Sequence, residues 1–347
     1  MNTTMTRMLR RVLACGALLA TAMAATPTMA AGTPITFVSW GGTTQKAQQE
    51  AWAKPFTSKT GVRVLQAGPT NYGKLKAMVS SGNVSWDVVD VEGEFALRAA
   101  GMGLLEPLDY SVINRKPLDK RFVTRDSVGS FFFSFILSWN TNKYPNGGPH
   151  DWADFFNVER YPGKRMVYKW PTAGMLEMAL LADGVTPDDL YPLDVDRALK
   201  KLGTIRDHLE FWGSGAEAQQ ALASGEVAMC ACWNGRIFAL KQEGAPVADS
   251  WNQNLTYADM LVIPKGSPHK QEAMKFLAYA ASAEGQARMA NRSAYAPINE
   301  NSVAKLNSDV KAELPTAHAD QQVSMSMRYW AEHGPEIAKK WNQFVVQ

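Results

Sequence analysis

The sequence predicts an α/β protein of two lobes with a hinge between them, and three observations carry that expectation. Short β-prone runs alternate with amphipathic stretches along the chain. Roughly 316 residues follow an N-terminal export segment, more than one hydrophobic core usually organises. The alternation breaks at the long run Phe131 to Leu137, where the chain is expected to cross from one lobe to the other.

The export segment comes first. Met1 to Arg11 carries Arg7, Arg10 and Arg11 and no acid, and an apolar stretch runs from Val12 to about Met23 before the small residues that end at Ala30-Ala31. Basic head, apolar core and small-residue site make a secretory signal. The core falls short of the about 20 residues that span a bilayer, and cleavage is expected near Ala30. Cys15, in Leu13-Ala14-Cys15-Gly16, follows the head too closely for a lipidation box. The whole chain has 36 Lys and Arg against 33 Asp and Glu, and the three signal arginines account for the difference. A neutral mature protein argues against a nucleic-acid partner, which needs a basic face.

Ile35 to Trp40 reads as a strand, stopped by Gly41-Gly42; Thr43 or Thr44 is expected to cap the next helix, whose inner face is Ala47, Ala51, Trp52 and Phe56. Val62 to Leu65 is a second strand, Tyr72 to Ser80 a helix closed near Gly82, and Trp86 to Val91 a third strand, giving a largely parallel sheet. Beyond Asn140 the second lobe is expected to repeat the theme. It has a helix from Asp194 to Leu209, a helix from Ala216 to Ser224 closed by Gly225, and a strand from Val227 to Trp233. Leu261 to Pro264 is apolar, Gln271 to Ser282 is a helix, and Pro335 is expected to open the last helix. Residues 31–137 with 260–305 would form one lobe, and 138–259 with 306–347 the other. Cys230 and Cys232 lie two apart in a strand, where same-face neighbours stand about 6.5–7 Å apart, so two free, buried thiols are expected rather than a disulfide.

No phosphate loop, dinucleotide glycine pattern, zinc helix or nucleophile elbow occurs. His150, His208, His269, His318 and His333 are scattered among polar neighbours. No catalytic residue, metal site or cofactor is expected. What recurs is an aromatic beside a polar or charged group at a strand's C-terminal end, where open α/β sheets bind ligands. Trp40 precedes its glycine turn, and Asp90, Glu92 and Glu94 end a parallel strand. Trp233, Asn234 and Arg236 close the strand from Val227, and Tyr257 and Asp259 precede Met260 to Ile263. An aromatic face beside a carboxylate suits an ammonium, through cation–π attraction of about 0.5–2 kcal/mol and a charge-assisted hydrogen bond.

At these residues the chain resembles the extracellular solute-binding proteins of bacterial ABC importers, in the spermidine/putrescine branch. The resemblance covers nearly the whole mature chain. It includes Trp40-Gly41-Gly42, Trp86-Asp87-Val88-Val89, Gly103 to Asp109, Trp139-Asn140-Thr141, Gly225 to Met229, Trp233 to Arg236, Ala273 to Leu277 and Tyr295-Ala296-Pro297-Ile298-Asn299. It implies the class II periplasmic binding protein fold, a small-molecule ligand, a membrane permease as partner, a periplasmic location and a monomer. By the same resemblance Asp259 grips an amine with Tyr257 two residues ahead, and Trp233 is a stacking aromatic.

Two departures bear on the ligand. Pro171 to Met175, where polyamine binders carry a second acidic cluster, has no carboxylate. Trp233, Arg236 and Asp259 together resemble members that bind γ-aminobutyrate, in which an arginine pairs with the ligand's carboxylate. The expected site is therefore Trp40, Glu92, Trp233, Arg236, Tyr257 and Asp259, closing on an ω-amino acid or a polyamine. A strict putrescine or spermidine receptor, an adaptor for a chemoreceptor and an exported enzyme are the competing expectations.

Overall fold

The computed structural model describes residues 33–172 and 174–346, so the export segment expected over residues 1–30 lies outside the described residues. The chain opens with β1 (Ile35–Val38), α1 (Gly42–Gln48), the wider-turned Gln49–Ala53 and α2 (Lys54–Thr60). Then come β2 (Val64–Ala67), α3 (Tyr72–Ser81), β3 (Val88–Glu92) and α4 (Gly93–Gly101). The long β4 (Ser127–Asn140) follows, then α5 (Trp152–Phe156), β5 (Arg165–Tyr168), α6 (Met175–Ala182), α7 (Val195–Gly203) and β6 (Leu209–Trp212). Next are α8 (Gly215–Ser224), β7 (Met229–Trp233), α9 (Asn234–Gln242) and the second long strand, β8 (Val247–Val262). The chain finishes with α10 (Lys270–Ala280), α11 (Ala283–Ser293), α12 (Ser308–Ala312), β9 (Gln322–Ser324) and α13 (Met327–Val345).

Local chemistry explains most of these limits. Asn71, Asp194, Ser214, Ser282 and Ser326 each accept a backbone N–H of the first turn of α3, α7, α8, α11 and α13. Gly82 and Gly225 end α3 and α8 in the left-handed conformation.

Three element limits depart from expectation. Gly41 and Gly42 both have positive φ, 72° and 57°, and bring the backbone onto the helical path at Gly42. Thr43 and Thr44 therefore fall inside the first turn and cap nothing. The helix after Asp194 stops at Gly203, a poor helix former, and Leu209 belongs to β6, opposite Arg165. Pro335 lies inside α13 rather than at its start. Gly334 precedes it and has no Cβ to clash with the proline ring, while Trp330, Ile337, Trp341 and Phe344 hold both flanks in the core.

The sheet runs β2-β1-β3-β8-β4-β7-β5-β6, with β9 beside β8. It is parallel in two outer sets, β2-β1-β3 and β7-β5-β6, and where the short β9 joins β8; between the outer sets β8 and β4 run antiparallel along nearly their whole lengths. The two long strands are thus the continuous link between two parallel α/β units.

The cysteine expectation is overturned. Cys230 and Cys232 form a disulfide, and their Cα atoms are 5.4 Å apart rather than the spacing of a fully extended strand. β5 pairs with β7 only as far as Cys230, so beyond it β7 is held on one side alone, by β4. Both residues remain buried, as expected.

Arg165 shows what a structural buried guanidinium needs. It is fully buried and donates to the backbone carbonyls of Phe155, Asn157, Tyr161 and Gly163. Arg165→Met is expected to lower the unfolding free energy by about 3 kcal/mol or more, because several carbonyls lose their donor at once. Urea denaturation measures it.

Candidate functional site

The sheet register builds the site. Asp259 of β8 stands opposite Glu92 of β3 on one side and Phe131 of β4 on the other, and Phe133 stands opposite Tyr257. Side chains two apart on a strand share a face, so Phe131 and Phe133 extend the row begun by the two carboxyls. Trp233, at the end of β7, meets Phe133 edge-on at 6.1 Å. Trp40 leaves β1 above this row, and Tyr295 stacks on Phe131 with ring centroids 4.6 Å apart. These residues and Thr44 line a small, tightly closed cavity.

Four of the expected residues line this cavity: Trp40, Glu92, Trp233 and Asp259. Two do not. Tyr257 is buried on the same strand face as Asp259 but does not line the cavity, its hydroxyl accepting from Glu94 N at 3.2 Å. Arg236 lies beside the wall, its Cζ 5.9 Å from the Trp233 ring, with Nη1 donating to Thr43 Oγ1 at 2.6 Å. Thr44, Phe131, Phe133 and Tyr295 were not expected at the site. The alternation of Phe131 and Phe133 and the Tyr295-to-Asn299 motif were visible signals, but both also read as core.

The carboxyls set the electrostatics. Glu92 is pushed up to about 7 by burial, against hydrogen bonds from Tyr72 (3.2 Å) and Thr172 (3.4 Å) and the pull of Arg98. Asp90, one layer back, is also pushed up to about 7 by burial, although Gln48 and Ser130 donate to it. Asp259 lies well above the carboxylate range, first through burial and then through Asp90 and Glu92. Glu94 is raised by burial and by Glu92, with Arg98 Nη2 3.6 Å away opposing. Asp259 makes no hydrogen bond that meets normal geometry among the described residues; the Trp40 indole N–H lies close by and favours its ionised form. The cavity is therefore an aromatic box with raised acids at one end, whose ionised form a nearby cation would favour.

Arg236 supplies the opposite charge. It is 2% exposed, and no carboxylate lies within salt-bridge distance among the described residues. Its Nη1 meets Thr43 and, at 3.4 Å, Gln219 Oε1, while its buried Nε has no partner. The indole N–H groups of Trp40 and Trp233 are likewise buried without an acceptor. Buried donors of this kind are costly unless something fills them.

Residues 51–317 match the family described as bacterial extracellular solute-binding protein. The gamma-aminobutyric acid-binding protein of Pseudomonas aeruginosa is 36% identical over 326 residues, covering 90% of this chain and 91% of the relative. A solved GABA receptor is 51% identical, with a TM-score of 0.85 over 90% of this chain and 97% of its own. Spermidine/putrescine-binding periplasmic protein 1 of Haemophilus influenzae is 27% identical, over 65% of each chain. The α/β architecture is accordingly that of the two-lobed periplasmic binding proteins, as expected. The chain belongs to the bacterial extracellular solute-binding protein family.

Proposed function

We propose that the protein captures γ-aminobutyrate, or an ω-amino acid close to it, in the periplasm and presents it to the permease of an ABC importer. One observation carries the ligand class: an aromatic cavity has an unbonded carboxyl, Asp259, on its floor and a buried guanidinium without a carboxylate, Arg236, beside its wall. An ammonium against Asp259 would ionise it and lie in reach of the Trp40 and Trp233 faces. Methylenes would fill the space between Phe133, Trp233 and Tyr295, and a carboxylate would meet Arg236. Arg165 supports this by contrast, since there the chain gives a buried guanidinium a full set of acceptors.

The lobes divide near residues 137 and 259, on the paired strands β4 and β8 that link the two parallel sets, and bending of these strands opens and closes the cleft. The ligand favours the closed form because only there do both charged ends meet their partners. Binding is stoichiometric and without turnover, by a monomer. The names of the relatives, a γ-aminobutyrate binder and a GABA receptor, support the ligand.

A diamine such as putrescine is the second reading, favoured by Glu92 lining the cavity next to Asp259. Calorimetry with γ-aminobutyrate, putrescine and spermidine separates the two. We expect γ-aminobutyrate to bind most tightly; binding of spermidine alone would sink the role given to Arg236.

A further inference from the structure

We infer that Thr43 is a positioning residue for the ligand's carboxylate: it fixes the Arg236 guanidinium in a slot completed only when the two parallel units meet. This deepens the reading above and rests on it.

The slot has three sides. Thr43 and Gly42 begin α1, which follows β1 in the β2-β1-β3 set, whereas Arg236 lies on α9 after β7, in the other set. The 2.6 Å bond from Arg236 Nη1 to Thr43 Oγ1 therefore joins the two units. A Cβ added at Gly42 would stand 2.8 Å from Nη1, and one added at Gly215, at the start of α8, would stand 2.4 Å from Nε and 2.8 Å from Cζ. Neither position has room for a side chain while the guanidinium stays where it is. Gln219 of α8 holds the base of the arginine, donating to its carbonyl at 3.1 Å.

This arrangement commits Nη1 and leaves the Nε side of the fork without an acceptor. Nη1 is taken by Thr43 and Gln219, the buried Nε has no partner among the described residues, and the Tyr295 hydroxyl lies beside the guanidinium. The Nε–Nη2 edge is one of the two forks by which a guanidinium grips a carboxylate with paired hydrogen bonds. Thr43 thus turns that edge away from α1 and towards Gly215 of α8, where the missing side chain leaves the fork without a competing group, and the ligand's carboxylate reaches it from the adjoining cavity wall at Trp233. When the units part, Thr43 withdraws, the long side chain regains its rotamers, and the fork is no longer preset. The ω-carboxylate is then held only in the closed form.

The test compares γ-aminobutyrate with butylamine, which keeps the ammonium and lacks the carboxylate, by calorimetry on the mature protein. Thr43→Val, which removes the hydroxyl at similar volume, is expected to weaken γ-aminobutyrate by about tenfold and to leave butylamine nearly unchanged. Thr43→Ser should restore binding of γ-aminobutyrate. Gly215→Ala, at a helical position where alanine is at ease, should displace the guanidinium and reproduce the selective loss. Equal losses for both ligands would show a general packing role and overturn the inference, as would unchanged γ-aminobutyrate affinity in Thr43→Val. A wild-type protein without preference for γ-aminobutyrate over butylamine overturns the underlying reading, and this one with it. A preference that survives Thr43→Val overturns this one alone.

Discussion

Asp259→Ala is expected to weaken capture of γ-aminobutyrate by more than about tenfold, since a charge-assisted hydrogen bond contributes about 1.5–3 kcal/mol. The ammonium would enter an apolar box whose nearest carboxyl is gone, with Glu92 already engaged by Tyr72 and Thr172. Asp259→Asn sharpens the test because it keeps the shape. It should lose affinity to a similar degree while making the empty protein more stable, since it removes one member of a mutually repelling buried set with Asp90 and Glu92. Calorimetry and denaturant unfolding of the same variant read the two effects separately. Unchanged affinity in both variants would place the ammonium elsewhere, with Glu92 the first alternative.

The second large effect is on pH. Asp90 and Glu92 ordinarily titrate near 3.8 and 4.5 and in the folded protein near 7, and Asp259 and Glu94 are displaced in the same direction. Between those limits the folded, empty protein holds more protons than the unfolded chain, so its stability falls as pH rises across the window. This is the reverse of a carboxylate held in a salt bridge. The groups facing the cluster are Gln48, Ser130, Tyr72, Thr172 and the Trp40 indole, with Arg98 as the cation, too little positive charge to reverse the sign. Ligand binding should run the other way. It strengthens as the acids ionise, and it releases protons below about pH 7. Thermal unfolding of empty and saturated protein at about pH 5 and about pH 8 should show the gap between them widening at the higher pH. An empty protein that gains stability with rising pH in this window would contradict the assignment.

Much of this was legible in the sequence, for reasons that differ residue by residue. Trp40, Glu92, Trp233 and Asp259 could be found because strand ends are visible as patterns and ligands gather there. Tyr257 shares a strand face with Asp259, yet its hydroxyl is drawn to the start of α4 at Glu94, a tertiary contact that no spacing announces. Phe131, Phe133 and Tyr295 were hidden because an apolar box and an apolar core use the same residues. The Cys230–Cys232 bridge depends on a local gathering of β7 past the point where β5 stops pairing with it, which an ideal strand spacing cannot foresee. Thr43 and Thr44 read as caps because threonine is a favoured capping residue between a turn and a helix. Both glycines instead take positive φ and free the Thr43 hydroxyl for Arg236.

The pairing of Glu92 with Asp259 bears on how the protein comes into being. These residues lie far apart in the chain and meet only when β8 docks beside β3, a long-range contact of the slow-forming kind. A nascent or translocating chain therefore carries Asp259 apart from the Asp90, Glu92 and Glu94 group, hydrated. The repulsion between Asp259 and that group is switched on when β8 docks beside β3. A solute waiting in the periplasm can assist only that step, acting as a template for completion rather than as a nucleus for the strands before it.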